Sequence, residues 1–165
     1  MNVLVAGLGN IFLGDDGFGV EVVKHLDGRV VPDGVKVADF GIRGVHLSYE
    51  LLDGYDTLVL VDAMPLGEEP GTVAIFEPDI ESIEASGMDA HSMNPAVVLG
   101  LLAGMGGHMP RVVLVGCEPL TIDEGIGLSD PVAAAVAPAA ETVMQLLADL
   151  YSTDLCSTEE EKLLS

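Results

Sequence analysis

Short runs of apolar and β-branched residues alternate along the chain with stretches whose apolar positions recur every three or four residues. Val3-Leu4-Val5-Ala6, closed by Gly7, reads as a buried strand. From Gly17 to Leu26 the apolar positions Phe18, Val22 and Leu26 share one helical face, and Asp15 or Asp16 stands where the N-cap belongs. Val35–Phe40 alternates as a second strand, Val45–Leu52 reads as a short helix, and Thr57–Val61 as a third strand. A fourth run, Thr72–Phe76, follows after about ten residues that include Pro65, Gly67 and Pro70. That is short for a crossover helix, so this strand is expected to be antiparallel. Residues 95–104 form a helix with Pro95 in its first turn, Arg111–Cys117 is the fifth strand, and residues 130–150 form an Ala-rich final helix. Pro138 should kink or divide that helix.

Strands alternating with helices at this spacing imply an α/β domain with a mostly parallel sheet. The domain is expected to fill residues 1–150, and the polar, charged residues 151–165 to form a flexible acidic tail. Composition supports a packed domain, since 49% of the chain is hydrophobic. Against 27 Asp and Glu stand 6 Lys and Arg, a formal charge of −21. Such a surface repels nucleic-acid phosphates and anionic membranes, and suits a partner presenting basic groups. No apolar stretch is expected to span a bilayer, and the start of the chain carries no basic leader. Two cysteines, Cys117 and Cys156, make no disulfide framework, so a cytoplasmic location is expected.

In an open α/β sheet, chemistry gathers beyond the carboxyl ends of the strands where the strand order reverses. Strand one runs into Gly7-Leu8-Gly9-Asn10 and then Asp15-Asp16-Gly17, while strand three ends in Asp62. If the order is 2-1-3, these acidic groups face one crevice, which Asp89-Ala90-His91-Ser92-Met93-Asn94 could close. Two carboxylates and an imidazole suit a divalent transition metal, and equally an acid/base hydrolytic set.

Two rival functions share some of these residues. A dinucleotide site would need a third glycine where Phe12 stands, and acids at the helix start oppose a pyrophosphate. A signalling receiver phosphorylated on Asp62 would use Asp15 and Asp16 as its acidic pair. It would also need a lysine after strand five, where Cys117-Glu118-Pro119 stands instead.

The motifs Gly7-Leu8-Gly9-Asn10 and Asp15-Asp16-Gly17-Phe18-Gly19 resemble the N-terminal signature of the nickel–iron (NiFe) hydrogenase maturation endopeptidases. Asp62-Ala63, His91-Ser92, Gly116-Cys117-Glu118-Pro119 and Gly127-Leu128-Ser129 are similar to the rest of that family's pattern, in order, across nearly all of residues 2–150. The resemblance implies a three-layer α/β/α fold around a twisted five-stranded sheet. It implies an endopeptidase that removes the C-terminal extension of a hydrogenase large-subunit precursor after nickel insertion. Asp16, Asp62 and His91 would contact the nickel carried by that substrate, with cadmium or zinc as a stand-in in crystals. Asp16 is one methylene shorter than the Glu often found at its position. The loop Gly41-Ile42-Arg43-Gly44, with Asn10, would contribute to substrate recognition. A carrier that holds nickel through the same ligands without cleaving anything is the non-enzymatic alternative.

Several residues have plainer readings. Asp15 is expected to cap the first helix, Asn10 to order the glycine loop through side-chain bonds to backbone, and Asp39 to cap a turn. His25, His46 and His108 are expected to be structural or solvated. Cys117 is expected to be a small buried hydrophobe rather than a nucleophile, and Met64 and Met93 to flank the site.

Overall fold

A computed structural model describes residues 1–79 and 95–164 of the chain, with side chains described as far as residue 155. Its elements are β1 (Val3–Leu8), a 3₁₀ turn (Gly14–Gly17), α1 (Phe18–Leu26), β2 (Val35–Gly41), α2 (Gly44–Leu51), β3 (Thr57–Ala63) and β4 (Val73–Phe76). After these come α3 (Pro95–Gly104), β5 (Arg111–Cys117) and α4 (Asp130–Leu164). The five strands form one sheet in the order β2-β1-β3-β5-β4. All pairs are parallel except β4–β5, which is antiparallel, as the short β3–β4 connection implied. The order reverses between β1 and β3, so the expected 2-1-3 arrangement holds.

Strand pleating sorts the apolar residues into two cores. Val3 and Val5 of β1, Val59 and Val61 of β3, and Val115 and Cys117 of β5 pack under α1 and α4. Leu4, Ala6 and Leu8, Leu58 and Leu60, and Val112 and Leu114 pack on the other face under α2 and α3. The result is the α/β/α sandwich, with β3 central and buried from Thr57 through Val61. α1 lies unusually close to this sheet. A Cβ added at Gly19 would fall 2.0 Å from the Val61 carbonyl oxygen, so only glycine permits that approach. On the far side, the buried Ser48 hydroxyl donates to the Val98 carbonyl at 3.0 Å and joins α2 to α3.

Four expectations change. β3 runs past Val61 to Ala63, so that Asp62, expected at the strand's end, is paired in register with Gly116. Pro138 does not divide the last helix. It is exposed, and helical backbone continues on both sides of it. The segment beyond residue 150, expected as a tail, has helical backbone to Leu164. Finally, Asp130–Leu155 is long and apolar enough, by length and composition alone, to cross a membrane. Its apolar side is accounted for by the fold: Val132, Ala135, Ala139, Ala140, Val143 and Leu147 are buried in the α1/α4 core.

Candidate active site

The crevice beyond β1 and β3 is built on a tight backbone crossing. Gly9 leaves β1 with φ +126°, a conformation that favours glycine, and its N–H donates to the Gly41 carbonyl at 3.0 Å. A Cβ there would lie 1.7 Å from the Asp16 carbonyl oxygen and 3.6 Å from Oδ1 of Asp62. Gly9 therefore packs between the two acids that the sequence singled out, and the structure brings those two together.

Their surroundings differ. One oxygen of Asp16, Oδ2, accepts the Asn10 backbone N–H at 2.8 Å, and the Asn10 side-chain oxygen in turn accepts the Phe12 N–H at 2.9 Å. Asn10 thus orders the glycine loop, as expected. Asp62 follows the pleat of Leu58 and Leu60 onto the α2/α3 face. Its Oδ1 is closed off from solvent and has no hydrogen-bond partner among the described residues. Burial, and then the charge of Asp16, push the Asp62 carboxyl well above the usual carboxylate range, opposed by the neighbouring Ala63 amide. A buried acceptor without a partner is costly, and such atoms gather at functional sites.

The remaining sequence candidates fall around this pair. Gly41 closes the floor through its bond from Gly9. Gly44 opens α2, and its carbonyl accepts the Ser48 hydroxyl at 3.2 Å. The guanidinium of Arg43 turns back on its own strand, donating to the Asp39 carbonyl at 2.6 Å and the Phe40 carbonyl at 3.3 Å. Those bonds stiffen the end of β2 rather than pairing Arg43 with either site acid. Met64 packs its thioether over Gly116, the register partner of Asp62, and so walls the site. His91, expected as the third ligand, and Met93 lie outside the described residues; no group of three or more metal-ligating side chains occurs among those that are described. The chain re-enters at Pro95, which opens α3 on the same face as Asp62. His25, His46 and His108 are all exposed.

Asp15 is not a helix cap. The residue preceding α1 is Gly17, and no side chain caps that helix. The Asp15 carboxylate is wholly buried and accepts the Leu120, Thr121 and Ser129 N–H groups and the Ser129 hydroxyl. Burial raises its pKa, but these bonds outweigh that and hold it below the usual carboxylate value. Sequence reasoning missed this role because every partner lies more than a hundred positions away. Cys117 is buried, and its thiol is pushed up to about 11 by burial and the nearby charges of Asp15 and Glu118, which suits a core residue rather than a nucleophile.

Comparison with known proteins decides the family. A family model described as hydrogenase maturation protease matches residues 20–146. The chain belongs to the hydrogenase maturation protease family. It is 33% identical over 150 residues to hydrogenase 2 maturation protease of Escherichia coli K12, spanning 89% of this chain and 91% of that one. It is 36% identical over 148 residues to a putative hydrogenase maturation protease of Methanocaldococcus jannaschii, spanning 87% and 94% of the two chains. The solved structure of the hydrogenase-maturating endopeptidase HybD from E. coli superposes with a TM-score of 0.77 at 32% identity, covering 90% of this chain and 93% of that one. As a maturation protease, the chain falls among hydrolases rather than phosphoacceptor receivers.

Proposed function

We propose that this maturation protease removes the C-terminal extension of a hydrogenase large-subunit precursor in the cytoplasm, and does so only after nickel has been inserted into that substrate. Asp16, Asp62 and His91 would reach the substrate's nickel. The observation that carries the reading is the unpartnered, enclosed Oδ1 of Asp62 beside a second acid whose own Oδ2 is already engaged by Asn10. Among the described residues, each acid thus has an oxygen left for a cation. Without one, burial and then the charge of Asp16 favour the protonated form of Asp62. Asp62 exchanges that proton for the divalent ion that the substrate brings, and repulsion between the carboxylates becomes shared attraction. A nickel-free precursor offers no such ion, so the pair acts as a check that metal insertion is finished.

The test compares cleavage of nickel-loaded and nickel-free precursor by the wild type and by Asp16→Asn, Asp62→Asn and His91→Ala variants. Shortening of the precursor only when nickel is present, and its loss in the variants, is the expected result. Full activity in all three variants overturns the ligand assignment. Nickel bound tightly by the isolated protein, with no precursor shortened, favours the carrier.

A further inference from the structure

The loop from Leu120 to Gly127 is exposed along its whole length, yet it is tied to the segment from Phe12 to Asp15. Beneath it, Oδ2 of Asp15 accepts the Leu120 N–H at 2.8 Å, the Thr121 N–H at 3.1 Å and the Ser129 hydroxyl at 2.8 Å, while Oδ1 accepts the Ser129 N–H at 2.7 Å. Backbone bonds run alongside: Asp15 N–H to the Thr121 carbonyl at 3.0 Å, Gly14 N–H to Gly125 at 2.9 Å, and Gly125 N–H to Phe12 at 2.9 Å. One carboxylate therefore fastens the 3₁₀ turn to the loop after β5 and to Ser129, the residue that leads into α4. The next residue in that turn is Asp16.

Asp16 and Asp62 are not held alike. Asp62 sits on the central strand of the sheet, fixed by pairing to Gly116. Asp16 sits on a four-residue turn. A four-residue turn is held less firmly than a strand paired inside the sheet, so Asp16 is the member of the pair that can move. That movement is blocked where Asp15, one peptide away, is clasped on three sides. We propose that Asp15 is a positioning residue for the cleavage site, holding Asp16 in place beside Asp62 so that the pair is assembled before a cation arrives. This rests on the reading of Asp16 and Asp62 as the cation-binding pair, and adds to it the residue that pre-organises them.

The experiment uses the full chain with Asp15→Asn, Ser129→Ala and, in parallel, Asp62→Asn. Cadmium binding is measured by calorimetry without precursor, folding by thermal melting, and kcat and KM with nickel-loaded precursor. Folded Asp15→Asn is expected to lose about tenfold or more in both cadmium affinity and kcat, with KM changed less than about twofold. Ser129→Ala, which leaves the carboxylate and the three backbone donors, is expected to lose about two- to fivefold in cadmium affinity. A purely structural Asp15 would lower only the melting temperature. Wild-type cadmium affinity and kcat in folded Asp15→Asn therefore overturn the proposal; should that variant not fold, unchanged affinity in Ser129→Ala overturns it alone. Loss of cadmium binding in Asp62→Asn shows that the pair itself stands, so that failure of the Asp15 arm is a failure of positioning. Retained binding in Asp62→Asn overturns the reading of the pair, and the positioning role with it.

Discussion

Gly9 separates Asp16 from Asp62 by the thickness of a bare backbone: the Cβ it lacks would overlap the Asp16 carbonyl oxygen at 1.7 Å. The two acids approach because this position carries no side chain. Gly9→Ala must push the 3₁₀ turn outward and also strain a φ of +126°. The expected cost is about 2–4 kcal/mol of stability, read from chemical denaturation, with at least about tenfold weaker divalent-cation binding.

Asp62 makes the pH dependence of stability distinctive. Its pKa in the folded protein is raised above the ordinary 3.8. The protonated form is thus favoured by folding, and its contribution is fully present below pH 3.8 and fades as pH rises through the raised value. Asp15 has the opposite sign, since its lowered pKa contributes stability that is lost as pH falls below 3.8. Without divalent cation, the Asp62 contribution should decline as pH rises above 3.8. Asp62→Asn should flatten that decline while leaving the acid limb intact. Denaturation midpoints across pH, for wild type and variant, measure both limbs.

Cys117 should be dispensable for cleavage. Its buried thiol, raised to about 11, is protonated at neutral pH. Cys117→Ala is expected to retain kcat and KM within about twofold while losing about 1–2 kcal/mol from the α1/α4 core. A thiol-directed reagent should leave cleavage by the folded wild type unaffected.

Pro138 stands exposed inside a helix that continues through it. Proline there forgoes one helical hydrogen bond, so Pro138→Ala is expected to stabilise the protein, by about 1 kcal/mol, without touching activity. A rise in the melting temperature of the variant checks this.

Much of this architecture was legible because it is written in local pattern. The β-branched runs located the strands, the short proline-containing connection before β4 marked the antiparallel edge, and the 2-1-3 order put β1 and β3 side by side. Asp62 was legible for the same reason: it directly continues an apolar run. Asp15 was not. An acid just before a helix has an obvious local use, and its true partners, Leu120, Thr121 and Ser129, become neighbours only once the sheet has closed. Pro138 and the residues after Tyr151 misled in a similar way. Propensity argues for a break at each, but α4 is anchored by the burial of Val132, Ala135, Ala139, Ala140, Val143 and Leu147 against the sheet, and by the Tyr151 hydroxyl lying 3.0 Å from the Met1 carbonyl and 2.9 Å from that of Asp33. Arg43 illustrates a third limit. Sequence places a cation near the crevice, but only coordinates show its donors spent on Asp39 and Phe40.

The alternation along β3, with Leu58 and Leu60 on one side and Val59 and Val61 on the other, carries a consequence for how this enzyme can vary. Losing a single residue ahead of Asp62 would preserve the ladder of backbone bonds yet deliver the carboxylate into the oily layer beneath α1, on the wrong side of the sheet. Descendants of this chain are free to trim or extend that strand only two positions at a time.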